Sequence, residues 1–267
     1  MTELLKANIA ANLAFYRRSR LLLAFMLVFL LLTALESLPP LFFNSGVQNF
    51  NALRDTFLVL SRYLLLFAAG LGLFVISSHL RSRNLKMVFT KPCPPAVWLL
   101  SAFFSAGAVS LFLNAIVLGC VTAFSLIWHV PVRAGLLFVS LDTFIASLGL
   151  IAYLILLAAL VHPAIAATIA LVFNADMFYN FQSWLEAVIR SGNSGRGLRL
   201  LERLFHYLYL LLPMVYPFDQ KTENIYSSLR VTHSEWRYLL YSFGYALVLS
   251  AFCYCLALFA LQRKKHI

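Results

Sequence analysis

Asp176 and Asn180 lie four residues apart in a run that also holds Asn174 and Gln182, so on a helix the carboxylate and the amide share one face. Set among Phe173, Phe178, Tyr179 and Phe181, such groups suit the lining of a path for an amphipathic or lipid-like cargo. They equally suit hydrogen-bonding between neighbouring helices. Arg62 and Asp142 are ionisable groups placed about six residues inside the outer ends of apolar runs, where a charge costs a few kcal/mol even when its side chain snorkels. Their chemistry is either pairing with each other or reaching the headgroups separately. The six histidines are scattered at 79, 129, 162, 206, 233 and 266. Neither a His-Glu-x-x-His motif nor a close pair of carboxylates accompanies them, so a zinc protease or a two-carboxylate hydrolase would lack its parts. The glycines at 192, 195 and 197 come without the lysine and the strand–helix frame of a phosphate-binding loop. ATP hydrolysis by that route is therefore not expected of this chain.

The densest cations fall between His79 and Trp98, where Arg81, Arg83, Lys86 and Lys91 stand without an acidic residue. Cations packed beside an apolar span mark the cytoplasmic side. Leu80, Leu85, Val88 and Phe89 add the apolar surface of a short helix lying against something. Lys91-Pro92 ends that helix, because the residue before proline is pushed out of the helical region. A simpler reading is a loop that only obeys the positive-inside rule.

The elements that must position these groups are membrane spans. The chain is 62% hydrophobic and 12% charged, with 24 Phe and 12 Tyr in 267 residues. Several runs exceed the roughly 18 apolar residues needed to cross a bilayer. These features predict an all-α polytopic membrane protein, with 1–267 as one transmembrane domain. Six spans are expected, near 21–40, 57–76, 97–128, 136–160, from 164 onward, and 238–261. Val161-His162-Pro163 is expected to be a tight inner turn, with Pro163 at a first helical position. Residues 1–20 read as a retained amphipathic helix in the inner interface, with Leu5, Ile9, Leu13 and Tyr16 as its stripe. Residues 184–236 read as an external segment between spans five and six, holding a short, proline-broken helix near 204–218. A seventh crossing there would put the basic tail at Arg263-Lys264-Lys265 outside, so both termini are expected in the cytoplasm. The net charge of +11 sits beside span ends rather than on one soluble face, which favours lipid headgroups over nucleic acid as the partner. The four cysteines have neither a disulfide framework nor zinc-site spacing.

A basic helical stretch, a Thr-Lys-Pro step and a new span together resemble the first cytoplasmic loop of type-2 ATP-binding-cassette (ABC) transporter permeases. In that family a Leu-Leu-Thr-(Lys/Arg)-Pro segment follows the second span; here it reads Met87-Val88-Phe89-Thr90-Lys91-Pro92. The acidic residue and Gly-Thr pair often found upstream are missing between His79 and Lys86. The resemblance implies a permease subunit in the cell membrane, exporting its cargo and working with a second permease copy or paralogue. It makes 79–96 the coupling loop, on which Arg81, Arg83, Leu85, Lys86, Val88, Phe89 and Lys91 would dock an ABC ATPase subunit. ATP and Mg would then belong to that partner, with no cofactor and no catalysis in this chain. The alternative reading is a membrane-integral enzyme acting on a lipid or lipid-linked substrate at the outer face, with His206, Asp219 or His233 as its base.

Overall fold

The computed structural model describes residues 2–18, 20–42, scattered positions from 53 to 74, and 94–127, 129, 134–172, 175–190, 196–211 and 233–264. Among these, only Arg20, Pro94, His129, Val161 and His162 are not helical. In chain order the helices are α1 (Thr2–Arg18), α2 (Leu21–Phe42), α3 (Pro95–Ile127), α4 (Ala134–Leu160), α5 (Pro163–Val172), α6 (Ala175–Arg190), α7 (Arg196–Leu211) and α8 (His233–Lys264). Three of them, over Pro95–Ile127, Gly135–Leu160 and Trp236–Arg263, are long and apolar enough to cross a membrane. A fourth is counted if α1 and α2, bent by 60°, are taken as one span. The chain is thus a helical, membrane-embedded protein.

Exposure supports this directly. Phe104, Leu111 and Phe112 on α3, and Leu240, Val248 and Phe252 on α8, are all exposed. Faces this apolar and this extended exceed what a water-soluble protein leaves uncovered, and they match hydrocarbon. The buried side of α3 is the opposite in character, with Ser101, Ala102, Ser105, Ala106, Gly107, Ser110 and Asn114 enclosed. Lipid tails remove the hydrophobic drive between helices, so small residues that let backbones approach and hydroxyls that bond across take over.

α3 is 33 residues long, about 50 Å at 1.5 Å per residue. It starts two residues before the expected span, with Pro95 in the first turn, where a missing N–H costs nothing. His129 just beyond its end has φ 54°, and its N–H reaches the Leu126 carbonyl at 3.3 Å. α4 returns antiparallel, and Ser110 Oγ lies 2.6 Å from Ser147 Oγ. One turn away, a Cβ built on Gly107 would lie 3.1 Å from Leu148 Cδ2. Gly107→Ala should melt within error of wild type, because the tip of Leu148 can shift and alanine favours the helix. Gly107→Leu should lose about 1–3 kcal/mol through overpacking, read as a lower melting temperature in detergent. Equal melting of the two variants would mean that α3 and α4 do not meet at Gly107.

Other neighbours of α4 run in its own direction. Phe138 meets Trp236 at one end, with ring centroids 5.8 Å apart, and Ile151 to Ala159 share a cluster with Leu249 to Leu261 toward the other. α8 is therefore parallel to α4. The helical positions from 53 to 74 also follow α4: Leu53 and Phe57 cluster with Leu136 and Val139, and Leu65 packs on Ala146. α2 packs back against them, Phe25 on Phe67. The turn at Val161-His162 is as expected, since α5 begins at Pro163 and Ala166 N–H donates to the His162 carbonyl at 2.9 Å.

α1 follows its expected stripe only in part, with Tyr16 buried and Leu5 and Ile9 half-buried. Its buried residues are Asn12 and Tyr16, while Leu13 is exposed. Asn12 Nδ2 donates to Ser101 Oγ at 3.4 Å, Tyr16 interacts with Ser105, and Phe15 stacks on Phe74 at 5.6 Å. The face that packs on α3 is thus partly polar, because its partners are serines. Arg20, with φ 54°, makes the bend into α2, and its carbonyl accepts from Ala24 at 2.8 Å.

Candidate functional site

The seven residues expected to dock an ATPase, Arg81, Arg83, Leu85, Lys86, Val88, Phe89 and Lys91, lie outside the described residues. What is described is the element that follows them. Three neighbours hold the first two turns of α3. Tyr254 Oη on α8 donates to the Ala96 carbonyl at 3.0 Å. Asn12 on α1 reaches Ser101. Leu99 is fully buried in the cluster that holds Ile155, Ala158 and Ala159 of α4. The start of α3 is therefore a junction of α1, α4 and α8, reached by the chain immediately after the basic stretch.

Of the expected ion pair, Arg62 lies outside the described residues and Asp142 lies within α4, with no exposure. The Asp142 charge reaches Tyr238 on α8, whose hydroxyl interacts with Ser242. Ser140 and Thr143 are buried beside it in sequence. This is a polar knot in the interior between α4 and α8. Of the expected path residues, Asn174 lies outside the described residues, while Asp176 and Asn180 occupy the first turns of α6. The fifth span expected from 164 differs in the structure: α5 has ten residues, about 15 Å, and α6 packs with α7. Asp176 and Asn180 thus belong to a helix whose described partner is α7.

The α6–α7 pair carries a cleft that the sequence reading missed. Phe181 meets Phe205 with ring centroids 4.5 Å apart, which closes one side of the pair. Beside that contact Gln182, Glu186, Glu202, Arg203, His206 and Tyr207 line a cavity of about 340 Å³. Gln182 Nε2 lies 3.4 Å from Glu186 Oε1 and 3.3 Å from His206 Nδ1, and Arg190 pairs with Glu186 at 3.6 Å. Compared with models of protein families, with curated proteins and with solved structures, the chain matches none. Among the described residues no cluster of three or more His, Cys, Asp and Glu is arranged to hold a metal ion. Of the three bases considered for an enzyme, His206 stands in the cleft, His233 opens α8, and Asp219 lies outside the described residues. The sequence did carry a partial signal, in the i,i+4 spacings 182–186, 186–190 and 202–206. Bringing the two helices face to face required the fold.

Proposed function

We propose that the chain is the membrane-spanning permease subunit of an ABC exporter, driven by a separate ATPase subunit bound at 79–92. The observation that supports this best is the junction at the start of α3. A push delivered just before Pro95 meets a rod of 33 residues whose first turns are tied to α1, α4 and α8. Displacement there shifts four helices together, which is what conversion of nucleotide closure into a change of access requires. The serine- and glycine-lined contact of α3 with α4 suits sliding or rocking of packed helices. The resemblance of 87–92 to the family's Thr-(Lys/Arg)-Pro segment supplies the partner's identity. Expression of the tagged chain in its native cells should bring down a P-loop ATPase; a pull-down without one counts against the reading.

The same reading has six spans, with both termini in the cytoplasm and 184–236 outside. The parallel course of α4 and α8 supports it, because parallel neighbours need an odd number of crossings between them. A single crossing fits, longer than the about 15 Å of α5 alone, and an added seventh near 204–218 does not. A cysteine at Ser194 should be labelled by an impermeant reagent from outside, while one at Arg263 stays protected. The reverse pattern at either site would sink this topology.

A further inference from the structure

We infer that the α6–α7 cleft is a binding site for a zwitterionic phospholipid headgroup, an ammonium carried close to a phosphate on a lipid. Two of its lining groups are unspent. Glu186 is engaged by Arg190 and Gln182, whereas Glu202 and Arg203 make no ion pair or hydrogen bond among the described residues. They are consecutive on α7, so their side chains diverge and do not neutralise each other. The cleft therefore presents to a single occupant a carboxylate and a guanidinium that have no partner among the described residues, with Gln182 and His206 as further hydrogen-bonding groups. A purely anionic ligand would meet Glu202, and a purely cationic one would meet Arg203. A ligand with both charges satisfies both, and guanidinium suits a phosphate in particular. The cavity, about 340 Å³, is at the small end for organic ligands and fits a headgroup rather than a whole lipid.

The attachment to a lipid follows from the rim. Tyr207 lines the cleft and is also exposed, and Leu204 and Leu200, three and seven residues before it, are exposed on the same edge of α7. An apolar edge beside a charged cleft, on a membrane-embedded chain, places acyl chains next to the headgroup they carry. This inference does not rest on the transport reading, because binding is measured on the chain alone.

The test uses the full chain in maltoside micelles, titrated with dihexanoyl-phosphatidylethanolamine, dihexanoyl-phosphatidylglycerol and free phosphoethanolamine by thermophoresis. The ethanolamine lipid should bind at least ~10-fold tighter than either of the others, a difference of about 1.4 kcal/mol. Glu202→Gln should reduce its affinity to that of the glycerol lipid, and Arg203→Gln should weaken both lipids. Glu202 and Arg203 are at the surface of the hairpin, so both variants should melt with the wild type. Equal binding of the two lipids by the wild type overturns the inference, as does an ethanolamine preference that survives Glu202→Gln. Free phosphoethanolamine binding as tightly as the lipid overturns the lipid-borne part.

Discussion

Replacing Val88 and Phe89 together by aspartate will abolish co-purification of the proposed ATPase subunit and the proposed transport, while membrane insertion stays at the wild-type level. Central apolar anchors carry most of the energy of an interface, about 2 kcal/mol or more each, and rim charges carry less. In 79–92 the apolar set is Leu85, Val88 and Phe89, with Arg81 and Arg83 before it and Lys86 within it in sequence. Arg81→Gln with Arg83→Gln should therefore weaken co-purification only in part. The structure adds a reason why insertion is spared in both cases. The first turns of α3 are held by Ala96, Leu99 and Ser101, through Tyr254, the α4 cluster and Asn12, and none of these contacts uses residues 79–92. A companion variant separates docking from transmission: Asn12→Ala should leave the ATPase bound but lower transport. If the Val88, Phe89 double variant still co-purifies with an ATPase at the wild-type level, 79–92 is an inner anchor and not a docking helix.

Neutralising Asp142 alone, or Arg62 alone, will lower membrane yield and melting temperature, and neutralising both will restore most of the loss. Breaking a buried ion pair costs about 3–5 kcal/mol, because the remaining charge is left uncompensated. Asp142 is fully enclosed within α4. Ala146, four residues on, packs against Leu65, three residues after Arg62, on helical stretches that run in the same direction. A full charge exchange is the obvious sequence-level test, but burial argues against it. An arginine at 142 would overpack a site with no free surface, at about 1–3 kcal/mol, and obscure the electrostatic term. Asp142→Asn and Arg62→Gln keep size nearly constant, so their double-mutant cycle isolates the coupling. Losses that simply add in the double variant would mean that each charge reaches its own partners, Asp142 those around Tyr238.

Composition by itself determined the class of this protein. Runs of apolar residues longer than a bilayer is thick have few alternatives to helices in a membrane, because every backbone group there must be satisfied within the segment. Local chemistry determined the turn at 161–163, where proline suits a first helical turn and little else. The glycines at 192 and 195 also lie between the end of α6 at Arg190 and the start of α7 at Arg196. Periodicity found only part of the buried face of α1, and the reason is general. A hydrophobic stripe identifies the buried face when the other face meets water. Where the outer medium is lipid, the pattern can invert: Phe104, Leu111 and Phe112 of α3 face outward while Ser101, Ser105 and Asn114 are enclosed. Asn12, which lies off the apolar stripe of α1, is buried on Ser101. Only the tertiary structure could decide that, because the partner's serines lie 89 residues away in sequence. The parallel course of α4 and α8, and the meeting of Gln182 with His206, have the same origin. Each depends on the direction in which a helix returns, and intervening segments do not encode that direction in any local pattern.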